Sequence, residues 1–385
     1  MDQAESFRQI AEVLRAAQRT AIEVENAPEK RKRLRSFSVQ EAAALLGVTP
    51  RQLRQAAGLA PEGRGIAPRA RLDFAELQAA RERLGRMPRR DAAKGEALAS
   101  VVFTNFKGGS AKTTSSVHFA QHLALQGYRV LLVDLDSQAS STAQFGLDPA
   151  REVGAANCFT AWVARGPDAA PELAQRLCQP SYWPNIDLLP AGAALAEAEE
   201  ALARRAANGE PEEILYFDEL AAFLAAVAPR YDVAVVDTRP DVNMLMTAAL
   251  HAATGLVIPT RATMTDLAST AEFFAHLAGY TAEYRAAFGH GLDFAFARIL
   301  VTAYDPTDRS QEALLGLLRE RFGDRVLPEP FLHSRIMGTA GFGKETLYEY
   351  EPSTDRAAYN RVIASANAVN RAIEAELSRH WGRGA

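Results

Sequence analysis

Thr104-Asn105-Phe106-Lys107-Gly108-Gly109-Ser110-Ala111-Lys112-Thr113-Thr114 is the stretch on which the reading of this chain turns. It follows a short apolar run, Ala99-Ser-Val-Val-Phe103, and precedes a helical pattern over 114–125. Strand, loop and helix in that order aim several backbone N–H groups at one anion, so the segment predicts a phosphate-binding loop. Its contacts are expected from Lys107, Gly108, Gly109, Ser110, Ala111, Lys112, Thr113 and Thr114. Lys112 is placed to meet the β- and γ-phosphates of a nucleotide, and Thr113 to offer its hydroxyl to Mg²⁺. The plain G-x-x-x-x-G-K-[ST] pattern is not met, because Phe106 and Ala111 occupy its two glycine positions. A second lysine, Lys107, stands inside the loop instead. Taken singly, Lys107 reads as a solvated loop lysine and Gly108-Gly109 as an ordinary turn.

Working outward, carboxylates fall where such a loop needs them. Tyr128-Arg-Val-Leu-Leu-Val-Asp134-Leu-Asp136 is an apolar strand ending in two acids, followed by Ser137-Gln138-Ala139-Ser140. Tyr231-Asp-Val-Ala-Val-Val-Asp237-Thr238 is a second strand ending in an acid. A carboxylate at the C-terminal edge of a parallel sheet, beside a phosphate loop, can hold the water shell of Mg²⁺. Further strands are expected at 185–190, 255–259 and 294–302. Strands alternating with helices from Val101 onward predict an α/β, doubly wound, mostly parallel sheet covered on both faces.

The chain has 385 residues and a net charge of −4, enough length for two or three domains. The charge is uneven: residues 29–90 carry fifteen Lys and Arg against six Asp and Glu, so this stretch is +9 and the remainder −13. A basic segment attached to an acidic domain is the electrostatic footprint of nucleic-acid binding, although a solvated basic surface shows the same bias. Two cysteines, Cys158 and Cys178, lack paired-motif spacing and suggest neither a structural metal nor a disulfide framework. No apolar run approaches a membrane span, and the first residues lack a signal peptide's apolar core, so a cytoplasmic protein with no membrane partner is expected.

Inside the basic stretch, Phe37-Ser-Val-Gln-Glu-Ala-Ala-Ala-Leu-Leu-Gly47-Val-Thr-Pro-Arg-Gln-Leu-Arg54 has helix-turn-helix grammar. Ser38 and Glu41 can form a capping box, Ala42, Leu45 and Leu46 a buried stripe, and Gly47 the turn. Thr49 and Pro50 start a second helix as N-cap and first-turn proline. That helix leaves Arg51, Gln52, Arg54 and Gln55 free to face a major groove, while Leu53 faces inward. Residues 61–72, with Arg64, Arg69 and Arg71, suit a small wing, and 73–81 a closing helix. The candidate DNA contacts are Thr49, Arg51, Gln52, Arg54, Gln55 and Arg64; a hairpin used only for dimerisation is the alternative. The set resembles a MerR-type winged helix-turn-helix. Boundaries are expected at 1–36 (an N-terminal helix, either a dimerisation arm or a frayed tail), 37–86 (the winged module), 87–98 (a linker) and 99–385 (the nucleotide domain).

The loop with its second lysine resembles that of the ParA/MinD group of P-loop ATPases, whose SIMIBI-type fold carries the same motifs. That resemblance implies that Lys107 reaches across a nucleotide-sandwich homodimer to the partner's phosphates. It implies catalytic roles for Lys107, Lys112 and Asp136, with Asp136 activating water, and Mg²⁺ held by Thr113, Asp237 and Asp134. ATP and Mg²⁺ are the implied ligands. Leu300-Val-Thr-Ala-Tyr-Asp-Pro-Thr-Asp308, Gly341-Phe-Gly-Lys-Glu-Thr-Leu-Tyr-Glu349 and the ending Trp381-Gly-Arg are similar to RepA, the partition ATPase of repABC replicons. This subfamily implies DNA binding, specific through the N-terminal domain and non-specific when ATP-bound. It also implies a ParB/RepB-type centromere-binding partner, action on the nucleoid, segregation of a low-copy replicon, and autorepression. Two other functions stay open: a positioning ATPase for a protein cargo on the nucleoid, and a repressor that binds ATP without turning it over. Ala111 for glycine, Ser137 for proline, and Thr238-Arg239-Pro240 where D-x-P-P is usual depart from the family. Arg239 is placed to pair with Asp237 or with a phosphate.

Overall fold

The computed structural model describes residues 3, 5, 6, 9, 12, 13, 32, 34–59, 70–166, 170–208, 215–337, 345–351 and 355–384. Most of the expected N-terminal arm, Arg64 and most of the wing therefore lie outside the described residues.

The strands are β1 (Phe37–Ser38), β2 (Arg71–Leu72), β3 (Ala99–Phe103), β4 (Val130–Leu135), β5 (Gln179–Pro180), β6 (Ile186–Leu189), β7 (Val233–Thr238), β8 (Gly255–Arg261) and β9 (Phe296–Thr302). Three helices belong to the N-terminal module: α1 (Val39–Leu46), α2 (Pro50–Ala57) and α3 (Phe74–Arg83). The helices that follow are α4 (Lys112–Gln126), α5 (Ser140–Gln144), α6 (Phe159–Val163), α7 (Pro171–Leu177), α8 (Leu195–Asn208) and α9 (Glu219–Val227). The last are α10 (Met244–Ala252), α11 (Met264–Phe288), α12 (Arg309–Phe322) and α13 (Arg356–His380).

Seven strands form one sheet in the order β5-β6-β4-β7-β3-β8-β9, parallel throughout except for the short edge strand β5. β3, β4 and β7 are buried along their whole length, which is why they read as unbroken apolar runs rather than alternating ones. β3 lies between β7 and β8, so the loop leaving it emerges at the middle of the sheet's C-terminal edge.

α4 opens at Lys112, two residues before the expected start, because Ala111 takes a left-handed conformation and turns the chain directly into the helix. The helix is buried from Ser115 to Leu125, covered by the sheet on one side and by α13 and the N-terminal module on the other. Polar residues on such a helix need internal partners. His118 Nδ1 meets Thr114 O at 2.6 Å, Gln121 donates to Glu349 at 3.0 Å, and His122 Nε2 lies 2.9 Å from Glu374.

The N-terminal module follows its sequence grammar with two adjustments. Thr49 and Gln52 form a complete capping box at α2, with Pro50 in its first turn. Ser38 caps α1 by accepting from Glu41 N, but the Glu41 carboxylate goes to Arg35 Nη2 at 2.5 Å instead of returning to the cap, so that box is half made. The buried stripe of α1 is Val39, Ala42, Ala43 and Leu46, with Leu45 only half-buried. Ala43 takes the inward place expected of Leu45 and joins the shared core. β1 pairs antiparallel with β2, forming the base of the wing.

The module is packed onto the nucleotide domain: its buried residues share one core with Phe119, Leu123 and Trp183, and Phe74 meets Trp183 edge-on at 5.9 Å. The segment 87–98 is held as well. Arg90 Nε donates to Tyr231 O at 2.9 Å, and Trp381 Nε1 to Ala97 O at 3.0 Å. Arg383 donates to Pro88 O and Arg89 O, both at 2.8 Å, and pairs with Glu96 at 2.5 Å. Its guanidinium holds the Glu96 carboxyl down to about 2.

Candidate nucleotide site

The loop between β3 and α4 is pinned from β8, β9 and α11. Asn105 Nδ2 donates to Pro259 O at 2.9 Å and to Thr270 Oγ1 at 3.1 Å. Thr302 Oγ1 donates to Ser110 O at 2.9 Å, and Arg261 Nη2 to Gly109 O. Phe106, the residue that breaks the glycine pattern, puts its ring edge-on to Phe273 at 5.2 Å. An aromatic here therefore anchors the loop's entry and leaves the phosphate side to Gly108 and Gly109. Gly109 has φ +74° and Ala111 φ +67°, the left-handed region that favours glycine.

Lys112 is 6 % exposed, and its Nζ donates to Lys107 O at 3.0 Å. Burial pushes its ammonium down to about 8, opposed by the charges of Asp237 and Asp136. Lys107 is half-buried, and its ammonium has no ion pair among the described residues. Thr113 and Thr114 are half-buried at the first turn of α4.

Asp134 and Asp237 are neighbours across the β4–β7 ladder and are both fully buried. Burial pushes both carboxyls up, and the Asp237 charge adds to the shift at Asp134. Their surroundings differ. Asp134 accepts from Thr142 N at 2.9 Å, Thr142 Oγ1 at 2.8 Å and Asp136 N at 3.1 Å, so protein donors engage both its oxygens. Asp237 accepts from Ser141 Oγ at 2.6 Å on Oδ2, while its buried Oδ1 has no partner. Asp136, half-buried, receives Gln138 N at 2.9 Å in the turn where Ser137 stands for proline. Arg239 is exposed and makes no ion pair among the described residues, so Asp237 is paired with Ser141 and not with this guanidinium.

Orphaned buried oxygens collect around the loop: Thr104 Oγ1, Ser110 Oγ, Ser115 Oγ and Asp237 Oδ1. Buried polar atoms without partners are rare in a finished interior. With a desolvated lysine and an uncommitted carboxylate oxygen beside them, the donor set fits a hydrated Mg²⁺ with a polyphosphate. Asn105, Ser141, Arg261 and Thr302 are site residues that the motif reading misses. The available signal was a polar residue closing an otherwise apolar strand, as at Thr104-Asn105 and Val301-Thr302.

Among the candidate DNA contacts, Thr49, Arg51, Gln52 and Gln55 are exposed on α2, and Arg54 is half-buried beside them. They form one surface separated from the phosphate loop by the length of α4. Two surface clefts, of about 680 and 500 Å³, are lined mainly by residues in and beside α6 to α8 and do not include the phosphate loop.

A family model described as an AAA domain matches residues 99–284. A protein named replication protein A in Rhizobium rhizogenes is 35 % identical over 366 residues, covering 92 % of this chain and 90 % of the relative. The chain belongs to the RepA group of ParA/MinD-type P-loop ATPases. The chromosome-partitioning ATPase Soj of Thermus thermophilus is 31 % identical across 70 % of this chain and 95 % of its own length. A solved structure described as a partition protein superposes with a TM-score of 0.65 at 16 % identity, covering 99 % of each chain, so the RepA-type chain shares the fold of that structure. No helix among its described residues is long and apolar enough to cross a membrane.

Proposed function

We propose that this RepA-type protein is an ATP-driven DNA partition protein that closes as a homodimer on ATP, binds DNA, and segregates a low-copy replicon with a ParB/RepB-type centromere-binding partner on the nucleoid. The observation that supports this best is the pairing, in one chain, of a two-lysine phosphate loop with an exposed helix bearing Arg51, Gln52 and Gln55. Autorepression through the winged module belongs to the same reading.

In this scheme Lys112 and the loop N–H groups hold the β- and γ-phosphates. Thr113 and the second oxygen of Asp237 would hold Mg²⁺, which would supply charge neutralisation of the phosphates. Asp134, its oxygens engaged by Thr142 and Asp136, sets the position of Asp136. Asp136 orients the attacking water. Lys107, without an ion pair among the described residues, stabilises charge on the transferring phosphoryl group across the dimer.

Light scattering with ATP and with ADP tests the reading, together with ATP turnover in the presence of DNA and the partner. Dimerisation with ATP alone and turnover raised by DNA and partner are expected. A protein that stays monomeric with ATP overturns the sandwich dimer, and turnover indistinguishable from zero with both present leaves an ATP-liganded repressor.

A further inference from the structure

The seam between the winged module and the nucleotide domain contains a buried cation. Arg81, on α3, is 4 % exposed. Its Nη2 donates to Leu45 O at 3.1 Å, in the last turn of α1, and to Leu125 O at 2.9 Å, in the last turn of α4. Gln126 Oε1 lies 3.4 Å away. No carboxylate hydrogen-bonds to this guanidinium among the described residues, and burial pushes it down to about 10, partly offset by the charge of Glu374. Helix C-termini present unpaired carbonyls and a partial negative charge, so one cation here caps two helices. One of them belongs to the DNA-facing module and the other to the nucleotide domain.

A second observation points to the same contact. Gly127, with φ +103°, follows α4, and a Cβ there would lie 2.8 Å from Arg81 Cδ and 3.1 Å from Gln78 Oε1. Gln78 itself donates to Ala124 O at 3.1 Å. The end of α4 is thus shaped to receive the arginine and its neighbour on α3. At its other end the same helix begins with Lys112 and Thr113. Its fifteen residues span about 22 Å of continuous helix.

We propose that Arg81 is a positioning residue that fixes the winged module to the end of the phosphate-loop helix, so that nucleotide and operator DNA bind with a shared coupling free energy. The proposal rests on the reading of the module as a DNA reader. A displacement of α4 at its phosphate end is carried to α1 and α3 because both helices contact the same guanidinium. The physical requirement is an element whose position both sites bias, and α4 with Arg81 is that element. Coupling of this kind is reciprocal.

Two measurements on the full chain test it, with the parent, Arg81→Leu and Arg81→Lys. In hydrogen exchange without DNA, ATP alters protection in α4 and also in α1 and α3 of the parent; in Arg81→Leu the change stops at the end of α4. In binding to a duplex carrying the gene's own upstream region, ATP shifts DNA affinity, and DNA shifts ATP affinity, by one common factor of at least about five-fold. In Arg81→Leu that factor falls close to one while ATP affinity without DNA is kept. Lysine retains the charge but not the planar fork, so Arg81→Lys falls between, and it carries the comparison if Arg81→Leu does not fold. An undiminished factor in the variants overturns the proposal, as does exchange in α1 and α3 of the parent that ignores ATP. A parent that binds ATP but no DNA overturns the DNA-reader assignment instead, and the exchange experiment still decides on Arg81.

Discussion

Lys112 Nζ donates to the backbone carbonyl of Lys107 at 3.0 Å, so the two lysines of the phosphate loop are joined through main chain and not through their charges. One ammonium lies inside the loop; the other is left free. Different losses follow from removing each. Lys112→Ala removes the buried cation of the phosphate site, and nucleotide affinity falls sharply. Lys107→Ala leaves monomer nucleotide binding largely intact and abolishes hydrolysis. Asp136→Ala traps a DNA-bound ATP dimer, because closure survives without water activation. Equilibrium nucleotide titration beside turnover separates the three, and a Lys107→Ala protein with parental turnover sinks the cross-dimer role.

Ala111 holds φ +67° at the cap of α4, where a side chain costs about 1–2 kcal/mol relative to glycine. Ala111→Gly relieves that strain against the larger entropy of unfolded glycine, for a net gain of roughly 1 kcal/mol. The loop then closes on phosphate more readily, so ATP tightens or basal turnover rises. Denaturant unfolding and nucleotide affinity, measured side by side with the parent, check this. A decline in both identifies alanine as an adapted part of the loop.

His118 gives the stability a defined pH dependence. Its ring lies between Thr114 O and Leu347 N–H at 2.6 and 3.1 Å, so Nδ1 donates, Nε2 accepts and the ring is neutral. Burial lowers its pKa to about 4 from the ordinary 6.5. Below the higher value the unfolded chain binds the proton and the folded chain does not. Stability contributed by the neutral ring is therefore present above about pH 6.5 and falls towards pH 4, by up to about 1.4 kcal/mol per unit. Urea unfolding across that window should show the slope, and His118→Gln should lessen it, the buried His251 ring, also lowered to about 4, keeping its own share. Equal slopes in the two proteins would acquit His118.

On α2, Arg51→Ala and Gln55→Ala should each weaken operator binding by about 1–3 kcal/mol if they read bases, with little effect on non-specific DNA. Uniform weakening across sequences with a flatter salt dependence would instead mark phosphate contacts. Binding isotherms at several salt concentrations distinguish the two.

The loop, the strand leading to Asp134 and Asp136 and the strand carrying Asp237 were legible as local structure because each is a short contiguous run. The two helices flanking Gly47 were legible for the same reason, down to the Thr49 cap and the buried Leu53. What escaped depends on chain segments far apart in sequence. Nothing near Arg81 announces that its partners are carbonyls at Leu45 and Leu125, and nothing near Asn105 points to Pro259. Phe106 looked like damage to a motif until the ring of Phe273 accounted for it.

The tail of the protein holds its connector shut. Arg383 lies over the Trp381 ring at 4.7 Å and grips the backbone at Pro88 and Arg89, at the boundary where a DNA-reading module would ordinarily be cut and exchanged. A chimera that swaps the first hundred residues while keeping the native ending inherits a clasp made for another connector. The structural unit at the N-terminal module is therefore discontinuous in sequence: the module and its connector are held by Trp381 and Arg383, nearly three hundred residues away along the chain.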